Sequence, residues 1–108
     1  MRSFAGLRRR ADFARLRRQG RRVNAATFTL YRSAGAPGDE RSLVGIAINK
    51  SIGKAVVRNK IRRRLVSILH DALRGRHTTR LLLVARPNAA GASFDALRAD
   101  VYAALGPA

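Results

Sequence analysis

Residues 49–73 read NKSIGKAVVRNKIRRRLVSILHDAL, and the periodicity of this stretch sets how the rest of the chain is parsed. After Gly53, Val57, Ile61, Leu65, Ile68, Leu69 and Ala72 recur at helical spacing, the apolar stripe of one long helix that Gly75 ends. On that wheel Arg58 and Arg62 flank the stripe on one side and Lys60 and Arg64 on the other. Arg63 points directly away, Asn59 lies near it, and Lys50 and Lys54 add charge at the start. A charged helix face is usually a solvated one, in which cations alternate with Glu or Asp four residues on and each pair adds ~0.2–0.5 kcal/mol. Here no acidic residue falls between Glu40 and Asp71, and Lys54–Arg58, Arg58–Arg62 and Lys60–Arg64 are like-charge pairs. A helix that carries such repeated repulsion is shaped to meet a polyanion.

Outward from this helix the pattern alternates between short strands and helices. Thr27 to Ser33 reads as a strand with Phe28 and Leu30 on one face and Thr29 and Tyr31 on the other. The turn-forming residues Gly35, Pro37, Gly38 and Asp39 separate it from a second strand, Ser42 to Asn49, and the two are expected to form an antiparallel hairpin. Val44, Ile46 and Ile48 line one face of that second strand, while Gly45 and Ala47 leave the other face shallow. Arg80 to Arg86 brackets an apolar strand that Pro87 stops. Ser93 caps a last helix through Leu105, with Phe94, Leu97, Val101 and Leu105 inward and Asp95 favourable in its first turn. Near the N-terminus, Ala11 to Gln19 is a short helix with Phe13 and Leu16 on one face, closed by Gly20. Residues 1–10, with Arg8, Arg9 and Arg10 in a row, are expected to be loose. The fold class is α+β: one domain over residues 1–108, an α/β sandwich in the order α-β-β-α-β-α with a central sheet packed by helices.

Composition narrows the partner. The chain of 108 residues holds 23 Lys plus Arg against 6 Asp plus Glu, a net charge of +17 that too few carboxylates are present to balance. The first candidate partner is a nucleic acid and the second an anionic membrane surface. Twenty of the cations are Arg, whose planar fork suits phosphate and base stacking, although a GC-rich genome also favours Arg over Lys. The absence of cysteine removes disulfides and thiolate metal sites and fits a reducing cytoplasm. No apolar run reads as a signal peptide or a membrane span.

The stretch Gly53, Ala55, Val56, Arg58, Asn59, Lys60, Arg62, Arg63 resembles the signature of the bacterial ribonuclease P protein component. The resemblance runs nearly the whole chain in order: Asp12, Phe13 and Gly20 in the first helix, Phe28 and Tyr31 in an aromatic strand, Val44 to Ile48, and an apolar strand ending in Arg86-Pro87. Lys60 and Arg17 depart from the family's commoner arginine and second aromatic. The resemblance implies a non-catalytic partner of a large catalytic RNA that removes the 5′ leader of precursor tRNA, with Mg²⁺ used by the ribonucleoprotein. It implies that Lys50, Lys54, Arg58, Asn59, Lys60, Arg62 and Arg63 meet the catalytic RNA, and that Phe13, Arg17 and Tyr31 line a cleft for the leader. It further implies a left-handed βαβ crossover through the basic helix, against the general right-handed rule. From the residues alone, Phe13 reads equally as a core anchor. A place on the strand face opposite Phe28 and Leu30 favours Tyr31 as a cleft residue and Phe28 as core.

Two rivals compete with this reading. A general RNA- or DNA-binding module, such as a ribosomal protein, explains the charge but not the ordered match. A self-contained enzyme would need a catalytic cluster, yet the two histidines, His70 and His77, sit apart near the end of the basic helix. No catalytic residue, protein-bound metal or bound cofactor is expected.

Overall fold

The strand with the longest apolar run becomes the centre of the sheet. The computed structural model describes residues 2–107 and contains, in chain order, β1 (Phe4–Gly6), α1 (Arg10–Gln19), β2 (Arg21–Asn24), β3 (Phe28–Ala34), β4 (Ser42–Ala47), α2 (Ala55–Leu73), β5 (Thr79–Ala85) and α3 (Phe94–Leu105). The sheet order is β1-β4-β5-β3-β2. β5 pairs antiparallel with β3 and parallel with β4, so α2 is the crossover between two parallel neighbours. A strand covered on both faces reads as continuous apolar sequence rather than as an alternation. Leu81, Leu82 and Leu83 accordingly show 0%, 0% and 1% of their surface.

Leu81 and Leu83 face α2 and α3, where they join Phe28, Leu30, Val44, Ile61, Leu65, Leu69, Leu97 and Val101 in the main core. Leu82 faces the other way, into a smaller cluster with Leu7 and Leu16 that α1 covers. Two layers of helix thus sandwich one sheet, the larger layer from the α2 stripe and the smaller from α1. At α3, the Ser93 hydroxyl accepts the Ala96 N–H at 3.0 Å, the expected N-cap.

The expected order α-β-β-α-β-α holds for the principal elements, and two short strands add to it. Residues 1–10, expected to be loose, contain β1, which pairs in parallel with β4; Phe4 and Leu7 are buried, and Met1 lies outside the described residues. Three residues gain a sheet edge here because Phe4 completes the main core beside Val44. The expected hairpin between β3 and β4 does not form: β5 lies between them, because its apolar faces need cover on both sides. Phe94, expected to point inward, is 39% exposed: it shares a side with Leu97 and Val101 but opens the helix one residue after the cap, at the outer end of the buried stripe.

Candidate nucleic-acid interface

The cationic surface begins where β4 ends. Asn49 caps a short 3₁₀ turn, Lys50–Ile52, its side-chain oxygen accepting the Ser51 N–H at 3.0 Å. α2 then starts with neither a side-chain cap nor an acidic residue in its first turn. Arg58 Nε donates to the Gly53 carbonyl at 3.1 Å, Arg62 Nη1 to the Ile46 carbonyl at 3.1 Å, and Arg64 Nη1 to the Ala92 carbonyl at 3.1 Å. These bonds to neutral carbonyls orient the guanidinium groups and leave their charge intact. The two sides assigned on the helical wheel are those observed: Arg62 reaches β4 and Arg64 the segment before α3. Lys50, Lys54, Asn59, Lys60, Arg62 and Arg63 are exposed and Arg58 is half-buried. Among the described residues, the ion pairs join Arg74 to Asp71 and Arg80 to Asp12 and Asp39, and none involves a cation of this surface.

The second group of predicted residues lies on the α1 face of the sheet. Strand register sets Gly45, Leu82, Tyr31 and Arg22 in one row, and Ala47, Val84, Thr29 and Asn24 in the next. Phe13 packs into this face above Gly45, with Leu82 beneath. It is half-buried, and so both anchors its helix and remains partly open. The Arg17 and Arg22 guanidiniums each lie 6.0 Å from the centre of the Tyr31 ring, at the outer limit of cation–π contact. Phe13, Arg17 and Tyr31 therefore share the α1 face of the sheet. The next row ends in a polar hub: Asn24 Oδ1 accepts from Arg22 Nε at 3.3 Å, from Arg86 Nη2 at 3.3 Å and from Thr29 Oγ1 at 3.4 Å. Arg22, Asn24 and Arg86 escape a reading of the sequence because cross-strand register, not local spacing, assembles them.

Near the N-terminal end of α1 lies a third arrangement, one without a local sequence signal. Arg80, on β5, donates from Nε and Nη2 to the two oxygens of Asp39 at 2.9 and 3.1 Å, and from Nη1 to Asp12 of α1 at 3.1 Å. The Ala36 N–H donates to Asp39 at 2.8 Å. The Arg80 bond, then the Ala36 N–H, hold the Asp39 carboxyl below its ordinary range, against a smaller opposing effect of burial. Asp39 in turn raises the pKa of Arg80.

Mg²⁺ takes carboxylate oxygens and bound water. Among the described residues no three potential ligands gather, and Asp12 and Asp39 already face Arg80, so the residues present do not fit a protein-held Mg²⁺. No helix of the described residues is long and apolar enough to cross a membrane.

Comparison with known proteins agrees with this geometry. The family model described as Ribonuclease P matches residues 1–108. The chain is 45% identical over 101 residues to the ribonuclease P protein component of Pseudarthrobacter chlorophenolicus, covering 92% of this chain and 73% of that one. To the protein of the same name from Thermobifida fusca it is 37% identical over 106 residues, covering 92% and 72%. The fold is similar to that of the Staphylococcus aureus RNase P protein, with a TM-score of 0.82 at 23% identity, covering 93% of this chain and 91% of that one.

Proposed function

This chain belongs to the ribonuclease P protein family, and on that premise we propose that it is the non-catalytic, RNA-binding subunit of the cytoplasmic endoribonuclease that removes the 5′ leader from precursor tRNA. In this reading Lys50, Lys54, Arg58, Asn59, Lys60, Arg62 and Arg63 lie against the catalytic RNA, and the gap holding Phe13, Arg17 and Tyr31 takes the single-stranded leader. The observation that carries it is the α2 surface, where Arg58 and Arg62 are oriented by carbonyls and, among the described residues, no cation is paired with a carboxylate. Release of counterions from RNA then drives association.

The two surfaces suit two forms of RNA. Exposed cations on a rigid helix can follow the phosphates of a folded RNA whatever its sequence. The Phe13 and Tyr31 rings offer stacking faces to unpaired bases, worth about 1–3 kcal/mol per base, and Arg17 and Arg22 stand where the phosphates would run. α2 follows β4 through the 48–54 segment and starts at the end of the sheet that carries the Ala47–Val84 row, on the opposite face from Phe13 and Tyr31. Mg²⁺ would serve phosphodiester hydrolysis in the ribonucleoprotein, and this chain's own residues bind and orient RNA.

The reading is tested by cleavage of a precursor tRNA at low Mg²⁺. The protein alone should give no cleavage, and adding it to the catalytic RNA should stimulate cleavage strongly. Cleavage by the protein alone would overturn the assignment.

A further inference from the structure

Two of the chain's six carboxylates converge on one arginine. Arg80 stands in the floor of the sheet with 17% of its side chain exposed, and its partners Asp12 and Asp39 show 18% and 11%. In a molecule of net charge +17, carboxylates are scarce, and these two come from segments far apart in sequence. Asp39 grips both the Nε and Nη2 side of the guanidinium, which fixes its plane against β5. The remaining nitrogen, Nη1, is then aimed at Asp12. A lysine could not do this, because an ammonium lacks the planar fork.

Asp12 is adjacent to Phe13, and four residues later on the same helix stands Arg17. The Asp12–Arg80 bond fixes the rotation of α1 about its axis, and the packing of Phe13 above Gly45 fixes its height over the sheet. Once both are fixed, Arg17 falls 6.0 Å from the Tyr31 ring. We infer that Arg80, acting through Asp12, is a positioning residue for single-stranded RNA: it holds α1 at the height over the sheet that sets Arg17 beside Tyr31, so that an unpaired strand can lie along the two. This rests on the reading that the gap beneath α1 holds the leader.

The test compares Asp12→Asn, Arg80→Lys and the double variant, each reconstituted with the catalytic RNA, on a precursor tRNA with a long leader and on one whose leader is a single nucleotide. Asp12→Asn leaves the Arg80–Asp39 bonds in place, so the sheet keeps its own anchor. Loss of about 1.4 kcal/mol of positioning corresponds to about tenfold in KM for the long-leader substrate. The KM for the short-leader substrate, kcat, and affinity for the catalytic RNA should stay within about twofold, a change of about 0.4 kcal/mol. The double variant should lose no more leader preference than Arg80→Lys alone, because both single variants weaken the one Asp12–Arg80 contact and Arg80→Lys also gives up the Asp39 fork. Equal loss on both substrates would make the triad a stabilising element only and overturn the inference, as would additive effects in the double variant. If Asp12→Asn keeps leader preference while Tyr31→Ala loses it, the inference falls and the cleft stands. If Tyr31→Ala keeps it too, the cleft reading itself falls, and the inference with it.

Discussion

Phe13 occupies the space that a side chain at position 45 would need: a Cβ on Gly45 would lie 2.6 Å from Phe13 Cε1 and 2.9 Å from its Cζ. The small residue in β4 is thus the seat of the aromatic residue in α1. Gly45→Ala should push the ring against Leu82 and lift α1, costing about 1–3 kcal/mol by overpacking. Denaturant unfolding checks this, and a double cycle with Phe13→Ala adds a sharper criterion. The Gly45→Ala cost should shrink when the ring is gone; an undiminished cost would mean that the two residues do not meet.

The cations of α2 divide by their bonds to the rest of the protein. Lys60 and Arg63 are exposed, whereas Arg58 and Arg62 each donate to a backbone carbonyl. Lys60→Ala and Arg63→Ala should weaken binding to the catalytic RNA and lower its log–log salt slope by about 0.7–0.9 for each phosphate no longer neutralised, with Tm unchanged. Arg58→Ala should lower the slope and also reduce stability, by about 0.5–1.5 kcal/mol for its hydrogen bond. Filter binding across a salt series, paired with thermal unfolding, separates the two classes.

Tyr31 differs from these in its surroundings. With Arg17 and Arg22 each 6.0 Å from its ring, it presents an aromatic face between two cations. Tyr31→Ala should reduce the preference for leader-bearing over mature tRNA and leave the salt slope for the catalytic RNA unchanged, while Tyr31→Phe should keep the preference. Competition binding with the two tRNA forms is the measurement. Identical behaviour of Tyr31→Ala and Arg58→Ala would dissolve the division into helix surface and cleft.

What could be read from sequence follows from the range of the interactions. α2, α3 and β5 carry their signal in periodicity or an unbroken apolar run, because each buries a stripe or two faces within a single segment. The sides taken by Arg62 and Arg64 on α2 are legible for the same reason: a wheel needs only one helix. β1 and β2 gave no such signal. One is three residues long, and the other, Arg-Arg-Val-Asn, has a single apolar residue because it is a sheet edge. The insertion of β5 between β3 and β4 is a choice among pairings that depends on which strand needs cover on both faces, and adjacency in sequence argued the other way. The Arg80 triad joins positions 41 and 68 residues apart, a distance over which no local pattern operates.

The Asp39–Arg80 pair makes stability depend on acid pH. The folded pKa of Asp39 lies below its ordinary value of 3.8 because Arg80 and the Ala36 N–H favour the carboxylate. A carboxyl with a depressed folded pKa contributes stability that is present above that ordinary value and is lost as pH falls through the lowered one. Unfolding free energy should therefore decline below about pH 4, where unfolded carboxyls take up protons first. Asp39→Asn should be less stable at neutral pH and show a flatter decline in acid. Urea midpoints between neutral pH and the acid limit check both, and parallel curves for the two proteins would exclude this pair as the source.

Two further arginines close the C-terminal ends of the helices. The last carbonyls of a helix have no partner within it and carry partial negative charge. Arg76 donates from Nε to the Ala72 carbonyl at 2.8 Å and from Nη2 to the Gly106 carbonyl at 2.7 Å, so a single side chain joins the end of α2 to the end of α3. Arg32 of β3 donates to the Leu105 carbonyl at 2.8 Å. Both guanidiniums answer carbonyls at the helix ends, and among the described residues neither pairs with a carboxylate. Arg76→Ala should cost about 1.5–3 kcal/mol, the usual worth of hydrogen bonds from a charged donor. Arg76→Lys should recover part of this through charge at the helix ends but not the two-ended bridge. Neither variant should alter the salt slope for the catalytic RNA, because the α2 cations from Lys54 to Arg63 lie two turns or more away along the helix. A lowered slope in Arg76→Ala at full occupancy of the folded state would instead place Arg76 on RNA.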